Sequence, residues 1–259
     1  MSEISEYLLA ADEPVPVTVR NEDGRSPFLI VADHAGKLMP GALGGLGVSE
    51  IERARHIGWD IGIEPVCRML SDGLDATLVQ QNYSRLVIDC NRTPGTPTSM
   101  PEISELTAVP GNVGLSVEHK ASRVAEIFRP YHDRIESELD RRRRESRPTA
   151  LIAMHSFTPV FKGVARPWHA GVLYNRDPRF AHLLMALLKR EDGFVIGDNE
   201  PYSVTDDSDY TIPVHGERRG LHHVAIEIRQ DLIAEGDGQR EWGERLARLL
   251  PLAYRASLA

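Results

Sequence analysis

The sequence of 259 residues predicts a single three-layer αβα domain with a mixed, mostly parallel sheet. Short, wholly apolar runs are typical of strands that are buried on both faces. These runs alternate with amphipathic helical stretches, which is the pattern of an α/β fold. The composition, 41% hydrophobic and 26% charged, is that of an ordinary globular protein and does not break along the chain. We therefore interpret residues 1–259 as one domain with an N-terminal extension over residues 1–20.

Apolar runs, and the residues that end them, define the elements in the first half of the chain. The run 27–32 is continuous and β-branched, which predicts a buried strand ending at Asp33 and His34. Four glycines between residues 41 and 47 predict a loop, and Ser49 after them suits a helix N-cap. The remaining predictions are a helix from about residue 60 to 70 and short strands over 76–79 and 86–88.

The second half begins with a long irregular segment. Residues 93–114 contain four prolines and three glycines, which predicts a loop at the rim of a functional site. Helical periodicity then extends from Ser116 to Arg144 and predicts a long helix. Further strands are predicted over 150–154, 171–174, 194–196 and 223–228, helices over 177–190 and 239–258, and a polar loop over 199–213.

Composition and motifs exclude several classes of function. The formal net charge is −8, so the chain lacks the basic surface that nucleic-acid binding requires. No apolar run approaches the roughly 20 residues of a membrane helix, and no signal peptide is visible. Cys67 and Cys90 do not form a CxxC pair, which favours a reducing, cytoplasmic setting. The sequence also lacks the motifs of serine hydrolases, P-loop proteins and Rossmann dehydrogenases.

Two histidines follow predicted buried strands: His34 after the strand 27–32, and His155 after the strand 150–154. The carboxyl ends of adjacent parallel strands meet at one crevice, where two imidazoles can bind a borderline-soft divalent metal ion, with Zn²⁺ expected and another divalent metal as the alternative. Asp60 is the leading third ligand. Asp33 is the second choice, or it orients His34 from outside the ligand set. The alternatives are structural histidines and an Asp60 that caps a helix.

Glu227 lies inside the predicted strand 223–228, where an unpaired charge is costly. It therefore needs a partner, a metal or a proton. A carboxyl group held there could take a proton from water and pass it to a leaving amine, which is general acid/base catalysis. The alternative is an ion pair with Arg229 or Arg219.

Positive charge is concentrated beside the short apolar run 86–88. Arg85 and Arg92 bracket this run, and Asp89 and Asn91 can fix them by hydrogen bonds. Guanidinium groups bind carboxylates through two parallel hydrogen bonds, so the segment predicts a small carboxylate-bearing substrate. A structural Arg/Asp pair is the alternative.

A second polar segment, 215–221, precedes the Glu227 strand. Its His215 and Arg219 are further candidates for contact with substrate or for stabilisation of an oxyanion.

Several blocks spread over about residues 27 to 233 together resemble the N-formylglutamate amidohydrolase family. The blocks are Asp33–Gly36 (DHAG), Gly58–Gly62 (GWDIG), Asn82–Arg92 (NYSRLVIDCNR), His155–Ser156 and Val224–Leu232 (VAIEIRQDL). The resemblance implies a phosphorylase/hydrolase-like αβα fold related to zinc carboxypeptidases.

The resemblance also implies roles for individual residues. His34 and His155 match zinc-binding positions, Glu227 matches the catalytic carboxylate, and Arg85, Asn91 and Arg92 resemble a carboxylate-recognition segment. In related carboxypeptidases a ligand Glu stands three residues after the first histidine, whereas this chain has Lys37. Asp60 is therefore inferred as the third ligand from chemistry.

We thus expect a metal-dependent hydrolase, with zinc as the expected ion, that cleaves the formyl amide of N-formyl-L-glutamate or a similar N-acyl amino acid. One alternative keeps the enzyme but changes the substrate to a different N-acyl amino acid or a short peptide. Another alternative is a carboxylate-binding protein without catalysis. It is favoured by Lys37, which stands where related carboxypeptidases have a ligand Glu. The sequence does not indicate an oligomeric state.

Overall fold

The computed structural model describes residues 8–259 and contains a seven-stranded mixed sheet between two layers of helices. The sheet has the order β1-β3-β2-β6-β11-β9-β10, and four of its six strand pairs are parallel. Its strands are β1 (Val17–Arg20), β2 (Phe28–Ala32), β3 (Thr77–Gln81), β6 (Ala150–Phe157), β9 (Ala170–Leu173), β10 (Ile196–Asp198) and β11 (His222–Arg229). This arrangement confirms the predicted fold class.

Two small hairpins lie outside the main sheet, one formed by β4 (Ile103–Ser104) and β5 (Thr107–Ala108), the other by β7 (Val160–Phe161) and β8 (Val164–Ala165). The helices are α1 (Glu50–Arg53), α2 (Ile63–Leu74), α3 (Val117–Arg123), α4 (Arg129–Arg144), α5 (Arg179–Leu188) and α6 (Gly236–Ser257). A π-helical turn joins α3 to α4, and a second one spans Ile212–Glu217.

The alternation of side chains along the central strands builds two cores. Even-numbered positions of β2, β6 and β11, such as Ile30, Ile152 and Ile226, pack against α2, α5 and α6. Odd-numbered positions such as Val31 and Ala153 pack against α4 and its preceding turn. Since successive strand residues point to opposite faces, Asp33, His155 and Glu227 belong to the α4 side.

Three sequence predictions differ from the structure. The last residues of the predicted extension 1–20 form the edge strand β1, which pairs antiparallel with β3. Its first seven residues lie outside the described part of the chain. Residues 86–88 are buried but form no strand, and a turn covers residues 85–87, because an apolar run determines burial and not the backbone conformation. The predicted strand 150–154 extends to Phe157, so His155 lies within β6.

The loops also contain more structure than predicted. The β4–β5 hairpin lies inside the predicted loop 93–114, and the turn beginning at Ile212 overlaps the predicted loop 199–213. Among residues 8–259, no helix is both long and apolar enough to cross a membrane.

Candidate active site

Three adjacent parallel strands, β2, β6 and β11, deliver polar side chains to one edge of the sheet. His34 follows β2 directly, and within the sheet Glu227 is the parallel register partner of His155. All three side chains line a cavity of about 590 Å³, together with Asp60 from the loop before α2. The structure therefore brings together the proposed metal ligands and the proposed catalytic carboxylate.

Asp60 lies between the two histidines. Its Oδ2 atom is 3.1 Å from His155 Nδ1 and 3.5 Å from His34 Nδ1, and all three side chains are buried. Ligand atoms of a tetrahedral zinc site with bonds of about 2.1 Å are separated by about 3.4 Å. Both distances to Asp60 are close to this value, and all three ligand atoms lie within 4.8 Å of one another, so the cluster and its nitrogen and oxygen donors suit a single metal ion such as zinc.

The remaining ring nitrogens of both histidines face other carboxylates. His34 Nε2 donates to Asp89 Oδ1 at 2.7 Å, and His155 Nε2 lies 3.3 Å from Asp33 Oδ2. In His34, a proton on Nε2 leaves the Nδ1 lone pair free, which is how ligating histidines are usually oriented. Within residues 8–259, buried His34 Nδ1 has no hydrogen-bond partner, so it is a donor atom available to a metal. Asp33 accordingly contacts His155, and not His34 as the sequence suggested.

Local backbone geometry fixes the position of Asp60. Its amide donates to the carbonyl of His34 at 2.9 Å, and its Oδ2 accepts from the Ser156 amide at 3.2 Å. Gly62, at the start of α2, has φ +79°, and a Cβ there would lie 2.0 Å from the Ile233 carbonyl oxygen. The loop therefore requires glycine. No side chain caps α2, so Asp60 is free of the helix-capping role.

Arg85 is held by two site carboxylates. Its Nη2 donates to Asp89 Oδ2 at 2.7 Å, and its Nη1 lies 3.4 Å from Asp60 Oδ1. Burial lowers the pKa of Arg85, but the charges of Asp89 and Asp60 outweigh burial and raise it above its usual value. The same arrangement keeps the pKa of Asp89 well below its usual range despite burial. Arg85 therefore neutralises the carboxylates that hold and orient the histidine cluster.

Glu227 differs from the other carboxylates in the site. Its Oε2 is buried and, in the part of the chain that the structure describes, has no hydrogen-bond partner. Burial raises the pKa of Glu227 to about 7, with the charge of His155 opposing and that of Asp60 adding to the rise. Such a group can exchange a proton near neutral pH. The predicted alternative, a pair with Arg229 or Arg219, is not present, since Arg229 pairs with Asp231 and Arg219 with Asp140.

Asn91 and Arg92 occupy the wall of the cavity. Asn91 accepts hydrogen bonds from the Tyr210 and Thr211 amides, both at 3.0 Å, and so holds the following loop. Arg92 donates from Nη1 to the carbonyls of Asn91 and Ser208. All hydrogen bonds from its guanidinium to residues 8–259 use Nη1, which leaves Nε and Nη2 for a ligand.

The structure does not bring His215 and Arg219 to the cavity. His215 Nε2 contacts His132 Nδ1 at 2.8 Å in a stacked, fully buried pair. Burial lowers the pKa of His215 to about 3, so it carries no charge with which to bind a carboxylate at neutral pH. The Arg219 guanidinium is 2.6 Å from Asp140 on α4. Sequence proximity to the Glu227 strand suggested a role that the packing of α4 does not support.

Lys37 also lies away from the cluster. Its ammonium group is 4.8 Å from the centre of the Trp59 ring, and the side chain is exposed. The position that would carry a ligand Glu in related carboxypeptidases is thus turned outward, and the carboxylate that lies beside both histidines is that of Asp60.

Comparison with known proteins agrees with the sequence motifs. A family model described as N-formylglutamate amidohydrolase matches residues 26–234. The chain belongs to the N-formylglutamate amidohydrolase family. The matched segment includes every residue of the cavity described above.

Relatives of this amidohydrolase include two curated bacterial enzymes. The N-formylglutamate deformylase of Pseudomonas aeruginosa is 28% identical over 254 residues, which cover 91% of this chain and 88% of the relative. That of Pseudomonas putida is 27% identical over 187 residues, covering 66% and 69% respectively. The chain is therefore an amidohydrolase that acts on amide C–N bonds.

Two solved structures resemble this amidohydrolase over nearly its whole length. A gene product of Agrobacterium tumefaciens is 34% identical, with a TM-score of 0.94 over 97% of this chain and all of that chain. An N-formylglutamate amidohydrolase from Ralstonia eutropha has a TM-score of 0.69 at 20% identity, over 93% and 98% of the two chains. The latter supports the fold alone.

The sequence did not predict the site contacts of two residues of this amidohydrolase, Asp89 and Tyr202. Asp89 was interpreted as a partner of arginine, and its bond to His34 depends on how the segment 82–92 folds over β2. Tyr202 lies in the predicted polar loop 199–213 and lines the cavity. The only feature of the sequence that could have indicated a functional role for Tyr202 is that it is an aromatic residue in a polar loop.

Proposed function

We propose that this enzyme hydrolyses the formyl amide of N-formyl-L-glutamate, or of a similar N-acyl amino acid, and that it does so with zinc held by His34, Asp60 and His155. The observation that carries the proposal is the convergence of this buried cluster with the protonatable Glu227 in a cavity. The family supplies the class of reaction, and the cavity supplies the reasons for a small anionic substrate.

The donor set supports zinc over magnesium or calcium. Two imidazole nitrogens and one carboxylate suit zinc, whereas the hard cations prefer oxygen ligands throughout. Such an ion, when bound, supplies Lewis-acid polarisation of the amide carbonyl and lowers the pKa of water at the site. Asp89 and Asp33 hold the two rings, and the Arg85 charge limits the repulsion among Asp60 and Asp89.

Glu227 is the proposed proton carrier. Its carboxylate accepts a proton from the attacking water as the new C–O bond forms at the formyl carbon. It then transfers that proton to the amide nitrogen as the C–N bond breaks. The products are formate and the free amino acid. A pKa raised toward neutrality suits both halves of this transfer.

Arg92 is the proposed substrate-binding cation. Its Nη1 is anchored to two backbone carbonyls and lies 3.4 Å from Asp209 Oδ1, while Nε and Nη2 remain for a carboxylate. Arg85 also lines the cavity, but it pairs with two buried carboxylates, Asp60 and Asp89, whereas within residues 8–259 Arg92 pairs with Asp209 alone. We therefore assign the direct contact to Arg92, and Asn91 holds the loop against which Arg92 packs.

Formate release from a panel of substrates tests the proposed function. We expect zinc-loaded enzyme to hydrolyse N-formyl-L-glutamate faster than the N-formyl derivatives of glutamine and histidine, which lack the side-chain carboxylate. N-acetyl-L-glutamate tests the acyl group. Chelation should abolish the activity and zinc should restore it. Preference for a neutral amino acid, or activity that survives complete metal removal, would contradict the proposal.

Replacing Arg92 by glutamine tests the binding role. We expect KM for a carboxylate-bearing substrate to rise about 10- to 100-fold with a smaller change in kcat, since a charge-assisted hydrogen bond contributes about 1.5–3 kcal/mol. Steady-state kinetics provide the measurement. The matched control is Arg219→Gln, which removes an arginine that pairs with Asp140 outside the cavity and should leave KM unchanged. Equal effects of the two changes would refute the assignment.

A further inference from the structure

Arg166 is a buried cation without a carboxylate partner in the described chain. Only 9% of its surface is exposed, and no carboxylate oxygen of residues 8–259 lies within 4.0 Å of its guanidinium nitrogens. The guanidinium carbon instead lies 4.6 Å from the centre of the Phe161 ring and 4.7 Å from that of the Tyr202 ring. Buried charges are normally paired, so this arrangement requires an explanation.

The Arg166 side chain makes one hydrogen bond to residues 8–259, and its partner indicates the role of the cation. Its Nη1 donates to the hydroxyl oxygen of Tyr202 at 2.8 Å. A tyrosine hydroxyl has one hydrogen to donate, and an arginine can only donate. The Tyr202 hydrogen must therefore point away from Arg166, and the hydroxyl makes no other hydrogen bond to the described residues.

Tyr202 is one of the residues that form the active-site wall. The ring lines the same cavity as Glu227, and 41% of the residue is exposed. Stacking on Arg166 fixes the ring of Tyr202, and the hydrogen bond fixes its hydroxyl oxygen. The hydroxyl is therefore a pre-organised donor that has no acceptor among the described residues. Burial raises the pKa of Tyr202, the charge of Glu227 adds to the rise, and Arg166 opposes it, so the hydroxyl keeps its proton at neutral pH.

From this geometry, and resting on the proposed function, we propose that Tyr202 is a catalytic residue whose hydroxyl donates a hydrogen bond to the reacting amide oxygen of the substrate. Arg166 is a positioning residue that acts through Tyr202. The negative charge that develops on that oxygen strengthens the hydrogen bond in the transition state. The contact therefore contributes to turnover more than to substrate binding.

Tyr202→Phe is the direct test, because it removes the hydroxyl and keeps the ring on Arg166. We expect kcat for N-formyl-L-glutamate to fall about 100-fold with KM within about twofold, the range known for loss of one oxyanion donor. Tyr174→Phe is the matched control, since that hydroxyl donates to Asp198 at 2.8 Å and lies outside the cavity lining. Its kinetics should equal those of the wild type.

The outcomes separate this role from the proposed function. An active wild type with an unaffected Tyr202→Phe variant overturns the role of Tyr202 alone. A rise in KM with unchanged kcat also overturns it, because the hydroxyl would then bind a distant group of the substrate. A zinc-loaded wild type that hydrolyses no member of the panel overturns the proposed function and this role together.

A double-mutant cycle tests Arg166. Arg166→Gln should lower kcat at least tenfold in the wild-type background but less than about twofold in the Tyr202→Phe background, because coupled residues are not additive. Arg166→Lys, which can still donate to the hydroxyl, should retain more activity than Arg166→Gln. Thermal unfolding of each variant reports any loss of folded protein. Equal kcat losses in both backgrounds would make Arg166 merely structural and overturn its positioning role.

Discussion

Replacing Glu227 by glutamine is expected to lower kcat about 10²- to 10⁴-fold while KM and thermal stability change little. The range is that of general acid/base catalysis by one positioned side chain. Glutamine has nearly the shape of the glutamic acid but cannot carry the proton. Stability should hold, because the change removes a carboxyl group whose ionised form burial disfavours. Steady-state kinetics and thermal unfolding of the zinc-loaded variant provide the measurement.

The pH dependence of wild-type activity is a second test of the general-base role of Glu227. A general base works as the ionised carboxylate, so activity should decrease as pH falls through the pKa of Glu227. Burial raises that pKa to about 7, and the positive charge of a bound metal lowers it from there. The acid limb of kcat/KM should therefore have its midpoint at or below about pH 7. The Glu227→Gln variant should lose this limb.

Glu138→Gln provides the matched control for Glu227→Gln. Glu138 is also buried, but it lies on α4 and accepts a hydrogen bond from Arg142 Nε at 2.6 Å. Removal of its charge should lower the melting temperature, because it leaves buried Arg142 without its charge partner. Turnover by the folded protein should not change. Near-normal turnover of Glu227→Gln, or an equal kinetic loss in both variants, would rule out the general-base role.

Exchanging aspartate for asparagine at positions 60 and 33 should separate a metal ligand from a residue that orients one. Both carboxylates are buried and both face His155, Asp60 at Nδ1 and Asp33 at Nε2. Asp60→Asn should abolish stoichiometric zinc and lower activity by at least about 10³-fold, because two imidazoles hold the ion weakly. Asp33→Asn should weaken zinc affinity only about 10- to 100-fold, the usual effect of an outer partner.

Zinc content by elemental analysis and zinc affinity by chelator competition are the primary measurements. Activity at saturating zinc then shows how much of each loss is due to binding. We expect excess zinc to restore most activity to Asp33→Asn and little to Asp60→Asn. Full zinc occupancy in Asp60→Asn, or identical behaviour of the two variants, would show that the ligand set is different. Circular dichroism establishes whether each variant is folded.

Much of the fold could be predicted because its cause is local. Apolar β-branched runs, each ended by polar residues, identified the central strands β2, β6 and β11. Parallel strands align their carboxyl ends, so the positions of His34 and His155 in the sequence already placed these two residues at one edge, and the structure adds Glu227 beside His155. The four-residue edge strand β1 was missed because so short a run has no clear period, and its pairing with β3 joins residues about 60 positions apart.

The partners of the site residues could not be predicted in the same way. Whether Asp33 contacts His34 or His155 depends on side-chain directions at the end of β2, and the structure pairs it with His155. His215 was grouped with the site because it precedes β11 in the chain. Packing of α4 instead buries it against His132. Loop contacts of this kind depend on how the sheet and the two helical layers pack together.

The sequence by itself determined the class of fold, the family and the residue types that the chemistry needs at the ends of three strands. The positions of the central strands and the alternation of their side chains between two faces follow from apolar runs and from the period of two, which are local properties. Only the tertiary structure decided that Asp60 stands between the two histidines, that Arg85 is neutralised within the site, and that Arg166 orients Tyr202. These contacts join loops far apart in the chain, and their geometry exists only after the layers have packed.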